Sequence, residues 1–154
     1  VRLSDHIAPG TVFLSLAKAR EAILSTLVGA ICQEWKEGDP EVLLERTWQR
    51  ERQGATSVGL GVSIPHLRCS SLADLRIAVA AHPEGTDFPS PDGMPVRLVF
   101  LLASPPSKAG SHVRALALLA RFEPDAVDHL VASPDADEFL RRLREWETAH
   151  GAGG

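Results

Sequence analysis

Two compact apolar runs constrain this chain more than any other feature: Leu75–Ala81 (LRIAVAA) and Val96–Ala103 (VRLVFLLA). Turn residues bound both, and neither alternates between polar and apolar positions. Runs of this kind read as central strands buried on both faces. A sheet buried on both faces needs helices on each side of it. The sequence offers them at both ends. From Ala17 to Trp35 the apolar residues Ala19, Ala22, Ile23, Leu27, Ala30 and Ile31 recur at spacings of three and four, which puts them on one helical face. Gly38-Asp39-Pro40 ends that helix and opens another, with Asp39 as N-cap and Pro40 at the first helical position. This second helix should run through Val42, Leu43 and Trp48 to near Gly54.

Beyond Pro105-Pro106 the helical period returns in Val113, Leu116, Ala117, Ala120 and Arg121, with Ser111 the candidate cap. Two more helices follow. One opens near Pro124; the other takes Ser133 as cap and Pro134 at its first position, and packs Phe139, Leu140 and Leu143 inward. Val12–Leu16 alternates well enough for a strand, and His82–Pro95 carries the Pro, Gly and Asp of a turn-rich connection. The order implies an α/β sandwich over residues 1–150, with a disordered tail at 151–154.

Composition narrows the function classes. A chain of 154 residues, 44% hydrophobic, supports one domain with a real core. The net charge of −4 argues against a nucleic-acid binder, which carries a basic stripe. No apolar run approaches the roughly 20 residues that cross a bilayer, so no membrane insertion is expected. The segment VRLSDHIAPG has no hydrophobic signal core, and Cys32 and Cys69 lack both a CxxC spacing and the numbers of a disulfide framework. A cytoplasmic protein with reduced thiols is the plain reading.

Chemistry concentrates between Arg50 and His66. Gly59-Leu60-Gly61 begins like a dinucleotide fingerprint, but Ile64 stands where the third glycine belongs, and no Gly-Lys-Ser/Thr follows to make a P-loop. Gly61-Val62-Ser63-Ile64-Pro65 fails as a nucleophile elbow because Pro65 replaces its last glycine, which leaves a hydrolase built on Ser63 a distant third reading. His66 and Cys69 lack two further ligands at metal spacing, so neither a metal nor another cofactor is expected.

What remains is the ordered series Arg50-Glu51, Gly54-Ala55-Thr56, Gly59-Leu60-Gly61 and Ile64-Pro65-His66. It resembles the active-site stretch of the fructose/mannitol class of enzyme IIA in the bacterial sugar phosphotransferase system, a class that includes the nitrogen-related enzyme IIA. Phe88 with Asp92-Gly93-Met94-Pro95-Val96 resembles the family's turn before its central strand, and Ser111-His112-Val113-Arg114-Ala115-Leu116 its second histidine opening a helix. The likeness runs from Leu3 to about Trp146.

Together with the element order, the resemblance implies a mixed sheet of about five strands sandwiched by helices on both faces, with His66 at its edge and close to His112. It also implies a phosphoryl carrier. An HPr-type phosphocarrier would donate to His66, and an enzyme IIB or a regulatory target would follow. A phosphoryl relay needs a nucleophile that is neutral near pH 7 and forms a labile bond, and imidazole meets both needs. Transfer through a loose transition state depends on positioning and on stabilised equatorial oxygens. Arg50 offers a fixed fork of donors, His112 an imidazole donor at a helix start, and Thr56 and Glu51 support. Arg50 could equally be a solvated helix end, His112 a helix cap, Glu51 the partner of a nearby arginine and Thr56 a turn former. Gly59 and Gly61 would keep the backbone slim for a partner's phosphohistidine. The chain departs from the family pattern at Leu60 and Leu67, where polar and small residues are usual. These leucines predict an apolar docking patch, and they are the only support for the contrasting reading, a non-phosphorylated interaction module of the same fold.

Overall fold

The two apolar runs lie side by side at the centre of a six-stranded mixed sheet in the computed structural model, which describes residues 1–54 and 56–151. The strands are β1 (Val12–Leu14), β2 (Ser57–Gly59), β3 (Val62–Ser63), β4 (His66–Arg68), β5 (Arg76–Thr86) and β6 (Val96–Ser104). The helices are α1 (Arg20–Trp35), α2 (Pro40–Glu51), α3 (Ala109–Leu119), α4 (Pro124–Val131) and α5 (Ala136–His150), with short 3-10 turns before β1 and α3. Strand order is β1-β5-β6-β3-β2, with β4 also on β6. The pair β5–β6 is antiparallel, with Val79 opposite Phe100. β1 runs parallel to β5, and β3 and β4 run parallel to β6.

Strand alternation in β6 divides the core in two. Leu98, Phe100 and Leu102 face Ala115, Leu119, Val127, Leu130, Phe139 and Leu143 from the three C-terminal helices. Val99, Leu101 and Ala103 face Ile23, Leu24, Leu27, Ile31 and Leu43 from α1 and α2. Helices from the two halves of the chain thus cover opposite faces of one sheet.

The topology around β6 sets the position of His66. One edge of β6 takes β5; the other takes β3 at Leu98–Val99 and then β4 at Leu102–Ser104. β3 and β4 are two pieces of one line, broken at Ile64-Pro65. Pro65 has no N–H to extend the ladder, though its carbonyl still accepts from Leu102 N at 3.0 Å. β2 pairs with β3 alone, so the outer side of β4 has no strand partner among the described residues. His66 therefore opens an edge segment.

Several local expectations need correction. α1 begins at Arg20 rather than Ala17, because Ser15 takes a positive φ of 61° and the Lys18 carbonyl is held by Asp87 N. α2 starts as expected, with Asp39 accepting from Glu41 N at 2.9 Å, but it stops at Glu51. β5 continues to Thr86 where a connection was expected from His82. A register shift between Ala81 and Thr86 absorbs Pro83, which cannot join a regular ladder. Asp135, not Ser133, caps α5, accepting from Glu138 N at 2.8 Å; a carboxylate with glutamate three residues on outcompetes the Ser-Pro start. Ser111 lies inside α3 rather than capping it, and the buried face is His112, Ala115, Leu118 and Leu119. The expected face began at Val113, which is 57% exposed. The true phase turns His112 inward. Of the expected tail, Gly151 closes α5 through Glu147 O; residues 152–154, like Ala55 of the Gly-x-Thr turn, lie outside the described residues.

Candidate active site

His66 is held by its own approach segment. Its Nδ1 lies 2.9 Å from the carbonyl oxygen of Ile64. A carbonyl only accepts, so Nδ1 carries the ring proton and Nε2 keeps a free lone pair. Burial lowers the His66 pKa below the ordinary histidine value, and Arg50 and Arg68 lower it further; the Ile64 contact and Glu51 oppose them. The result is a neutral imidazole with one available base, the form a nucleophile needs.

His112 comes to this ring from α3. The two ring centroids are 5.3 Å apart, and the planes meet at 72°. The two rings are thus close, as expected, although their positions differ by 46 in the chain. His112 is 1% exposed, so it lies beneath the surface rather than in an open depression. Its Nδ1 is 2.6 Å from Ser104 Oγ. Burial, and then the neighbouring His66 and Arg68, push its pKa down to about 4.

This shift predicts a pH dependence. A histidine depressed on folding binds its proton more readily in the unfolded chain. Its stabilising share is full above the unfolded value near 6.5 and is lost as pH falls toward about 4. Denaturant unfolding at pH 7 and pH 5 should differ by about 2 kcal/mol from this group alone, with the lower stability at pH 5. His112→Gln should flatten that slope; an unchanged slope would show that another group causes it.

Arg50 and His66 share one surface depression of about 330 Å³, together with Arg46, Gln49, Gln53, Arg68 and an edge of the mostly buried Leu67. Arg50 Nη1 donates to Gly54 O at 3.1 Å. Arg46, Arg50 and Arg68 make no ion pair with a carboxylate among the described residues. Three unpaired guanidinium groups around a neutral histidine favour an incoming anion.

Glu51 and Thr56 stand behind the site rather than in it. Both are buried, and Thr56 Oγ1 donates to Glu51 Oε1 at 2.6 Å. Glu51 Oε2 lies 3.5 Å from Arg20 Nη1, and the Thr56 carbonyl accepts from Ile64 N at 2.9 Å. The pair ties the end of α2 to the segment that delivers His66. The geometry turns the Thr56 hydroxyl toward Glu51.

Two expectations about the glycine turn change. Gly59 and Gly61 have φ of 84° and 85°, a region that side chains other than glycine rarely adopt. A Cβ on Gly59 would lie 3.1 Å from Asp92 Oδ2, and one on Gly61 3.3 Å from Pro95 O. The space over these glycines is filled by the protein's own 92–95 segment, so they serve the turn and not a partner's approach. The apolar patch also shrinks. Leu67 is 4% exposed and packs with the α1 and α2 core, while Leu60 remains 40% exposed. Alternation along β4 explains it: His66 and Arg68 share one face, and Leu67 takes the other. The surface beside His66 is lined mainly by arginine and glutamine, with only an edge of Leu67.

Arg68, Arg46 and Ser104 join the site without having been named from the sequence motifs. Arg68 was within reach, since it stands two residues from His66 on a strand. Arg46 stands four before Arg50 on one helix, hence on the same face. Ser104 carried no signal, because its partner His112 is set by the phase of α3.

Comparisons with known proteins bear on the family and the fold. Residues 6–146 match the family model for the phosphoenolpyruvate-dependent sugar phosphotransferase system, EIIA 2. A nitrogen regulatory protein of Bradyrhizobium diazoefficiens is 35% identical over 144 residues, covering 92% of this chain and 94% of that protein. The fructose-specific EIIABC component of Bacillus subtilis is 28% identical over 121 residues, which cover 78% of this chain but only 19% of that longer protein. In three dimensions the chain is similar to the nitrogen regulatory protein IIA-Ntr from Neisseria meningitidis, with a TM-score of 0.83 at 24% identity over 92% of this chain and 98% of that one. No helix among the described residues is long and apolar enough to cross a membrane. A mixed sheet between two helical layers and a family match across nearly the whole chain lead to one conclusion: this protein belongs to the EIIA 2 family of the phosphoenolpyruvate-dependent sugar phosphotransferase system and is a phosphoryl carrier.

Proposed function

We propose that His66 is the residue that carries the phosphoryl group and that Nε2 is the atom that bonds it. The observation behind this is the Nδ1–Ile64 contact, which leaves Nε2 as the basic nitrogen beside three arginines that make no ion pair among the described residues. A phosphohistidine on an HPr-type phosphocarrier docks against the edge of β4. The His66 Nε2 lone pair attacks phosphorus as the bond to the donor's imidazole nitrogen breaks. The phosphoryl group moves as a unit, the donor ring leaves with the released electron pair, and His66 keeps its Nδ1 proton throughout. Arg50 and Arg68 lie where they can take up charge on the equatorial oxygens, and His112 supplies a neutral contact from the buried side. Glu51 and Thr56 position the segment.

The onward acceptor is an enzyme IIB or a protein whose binding depends on the phosphorylation state, and the setting is cytoplasmic. The non-phosphorylated interaction module loses much of its support once Leu67 is buried. Incubating the protein with labelled phosphoenolpyruvate, enzyme I and HPr tests the proposal. The label should be labile in acid and stable in base, as a phosphoramidate is. An unlabelled protein would favour the interaction module, and an acid-stable label would favour a serine ester.

A further inference from the structure

We propose that Ser104 is a positioning residue that fixes the His112 ring as its Nε2–H tautomer, which makes that N–H a permanent donor toward the phosphoryl group on His66. The inference rests on the reading of His66 as the phosphoryl acceptor, and it concerns a residue outside the motif stretch. Ser104 ends β6, is fully buried, and is placed from both sides: its carbonyl accepts from Cys69 N at 2.9 Å, and its Cα pairs in register with Arg68 of β4. Its hydroxyl has His112 Nδ1, at 2.6 Å, as its hydrogen-bond partner among the described residues.

A serine hydroxyl has one proton, and a neutral imidazole has one donor and one acceptor nitrogen. If His112 Nδ1 carried the proton, it would donate to Ser104 Oγ, and the hydroxyl hydrogen would point into the buried interior with no acceptor among the described residues. Leaving a buried donor unpaired is the costly outcome. If the hydroxyl donates to Nδ1 instead, both groups are served and the ring proton sits on Nε2, across the ring from Ser104. The depressed pKa of His112 supports the same state, since the ring stays neutral across the working pH range.

The two histidines then hold opposite tautomers. His66 is protonated at Nδ1 by its contact with Ile64 and is basic at Nε2; His112 accepts at Nδ1 and donates at Nε2. One ring is set to attack and the other to stabilise, with no proton moving between them. A second-layer hydrogen bond that fixes a ring's tautomer is a recurring way to orient a histidine.

The test begins with the unmodified wild-type protein, where two-bond 1H–15N correlation spectra of the imidazole rings report tautomers directly. The expected result is His112 protonated at Nε2 at pH 7. A His112 ring protonated at Nδ1 overturns the proposal, whatever the phosphorylation assays show. Ser104→Ala should mix the two tautomers, and Ser104→Thr, which keeps the hydroxyl, should restore Nε2–H. Phosphoryl uptake from HPr should slow by about tenfold in Ser104→Ala, less than the roughly 10²–10³ that outright loss of a fixed donor costs. An unmoved tautomer in Ser104→Ala, or uptake at the wild-type rate, would equally contradict it. If the wild type takes up no phosphoryl group but His112 still shows Nε2–H, the carrier reading of His66 fails while the positioning role of Ser104 stands.

Discussion

His66→Ala should take up no measurable phosphoryl label, a loss of roughly 10³-fold or more, because the bond-forming nitrogen is gone and no other side chain in the depression is a nucleophile at neutral pH. The lining holds arginines, glutamines and a leucine, none of which forms phosphoryl bonds. The fold should survive. His66 is only half-buried, on a three-residue edge strand, and the backbone pairing of β4 with β6 needs no imidazole. The expected stability change is about 1 kcal/mol or less, measured by denaturant unfolding alongside the labelling assay. His112→Ala should behave differently. It removes a donor rather than the nucleophile, so labelling should continue at a rate lowered by about 10²-fold. Equal rates in the two variants would mean that the roles assigned to the histidines are wrong.

Phe100→Ala should be the most damaging single change to the fold, costing about 3–5 kcal/mol. Phe100 is fully buried at the middle of β6 and stacks on Phe122 with ring centroids 5.6 Å apart. Phe122 in turn meets Trp146 of α5 at 4.2 Å. Three rings in series thus fasten the central strand to the segment after α3 and to the last helix. Truncating the first ring leaves a cavity on the face of the sheet covered by the C-terminal helices, which its neighbours there cannot fill without moving the backbone. The midpoint of urea unfolding should fall with little change in slope. A loss below about 1 kcal/mol would mean that this stack is not the anchor between the sheet and the C-terminal helices. The consequence reaches the site, since α3, which carries His112, packs on the same face of the sheet.

The centre of the sheet was legible because β5 and β6 are buried on both faces, and the residues alone declare it. The short strands were not. β3 has two residues and β4 three, and their existence depends on β6 offering an edge, a tertiary fact with no local signature. Helix periods were legible but their phase was not. In α3, Val113, Leu116 and Ala120 satisfy the three-and-four spacing as well as His112, Ala115 and Leu119 do, and only packing against the sheet chooses between them. That choice decides whether His112 reaches His66.

The site divides in the same way. His66, Arg50 and His112 were named from motif order, and the structure brings both Arg50 and His112 to His66. Glu51 and Thr56 were named as support, and the structure places them in a hydrogen bond with each other behind the segment that carries His66. The expected apolar patch loses Leu67 for a simple reason, while Leu60 stays exposed. A residue that follows a site residue on a strand faces the opposite side, so Leu67 belongs to the core.

The central claim is that a phosphoryl group resides on Nε2 of His66. Long-range 1H–15N spectra of the imidazoles, recorded before and after phosphorylation by enzyme I and HPr, test it most directly. The His66 Nε2 resonance alone should take on the shift of a phosphorylated nitrogen, while its Nδ1 stays protonated against Ile64 and the His112 nitrogens remain unmodified. Phosphorus on Nδ1 of His66, on His112, or on a side chain other than histidine would contradict it.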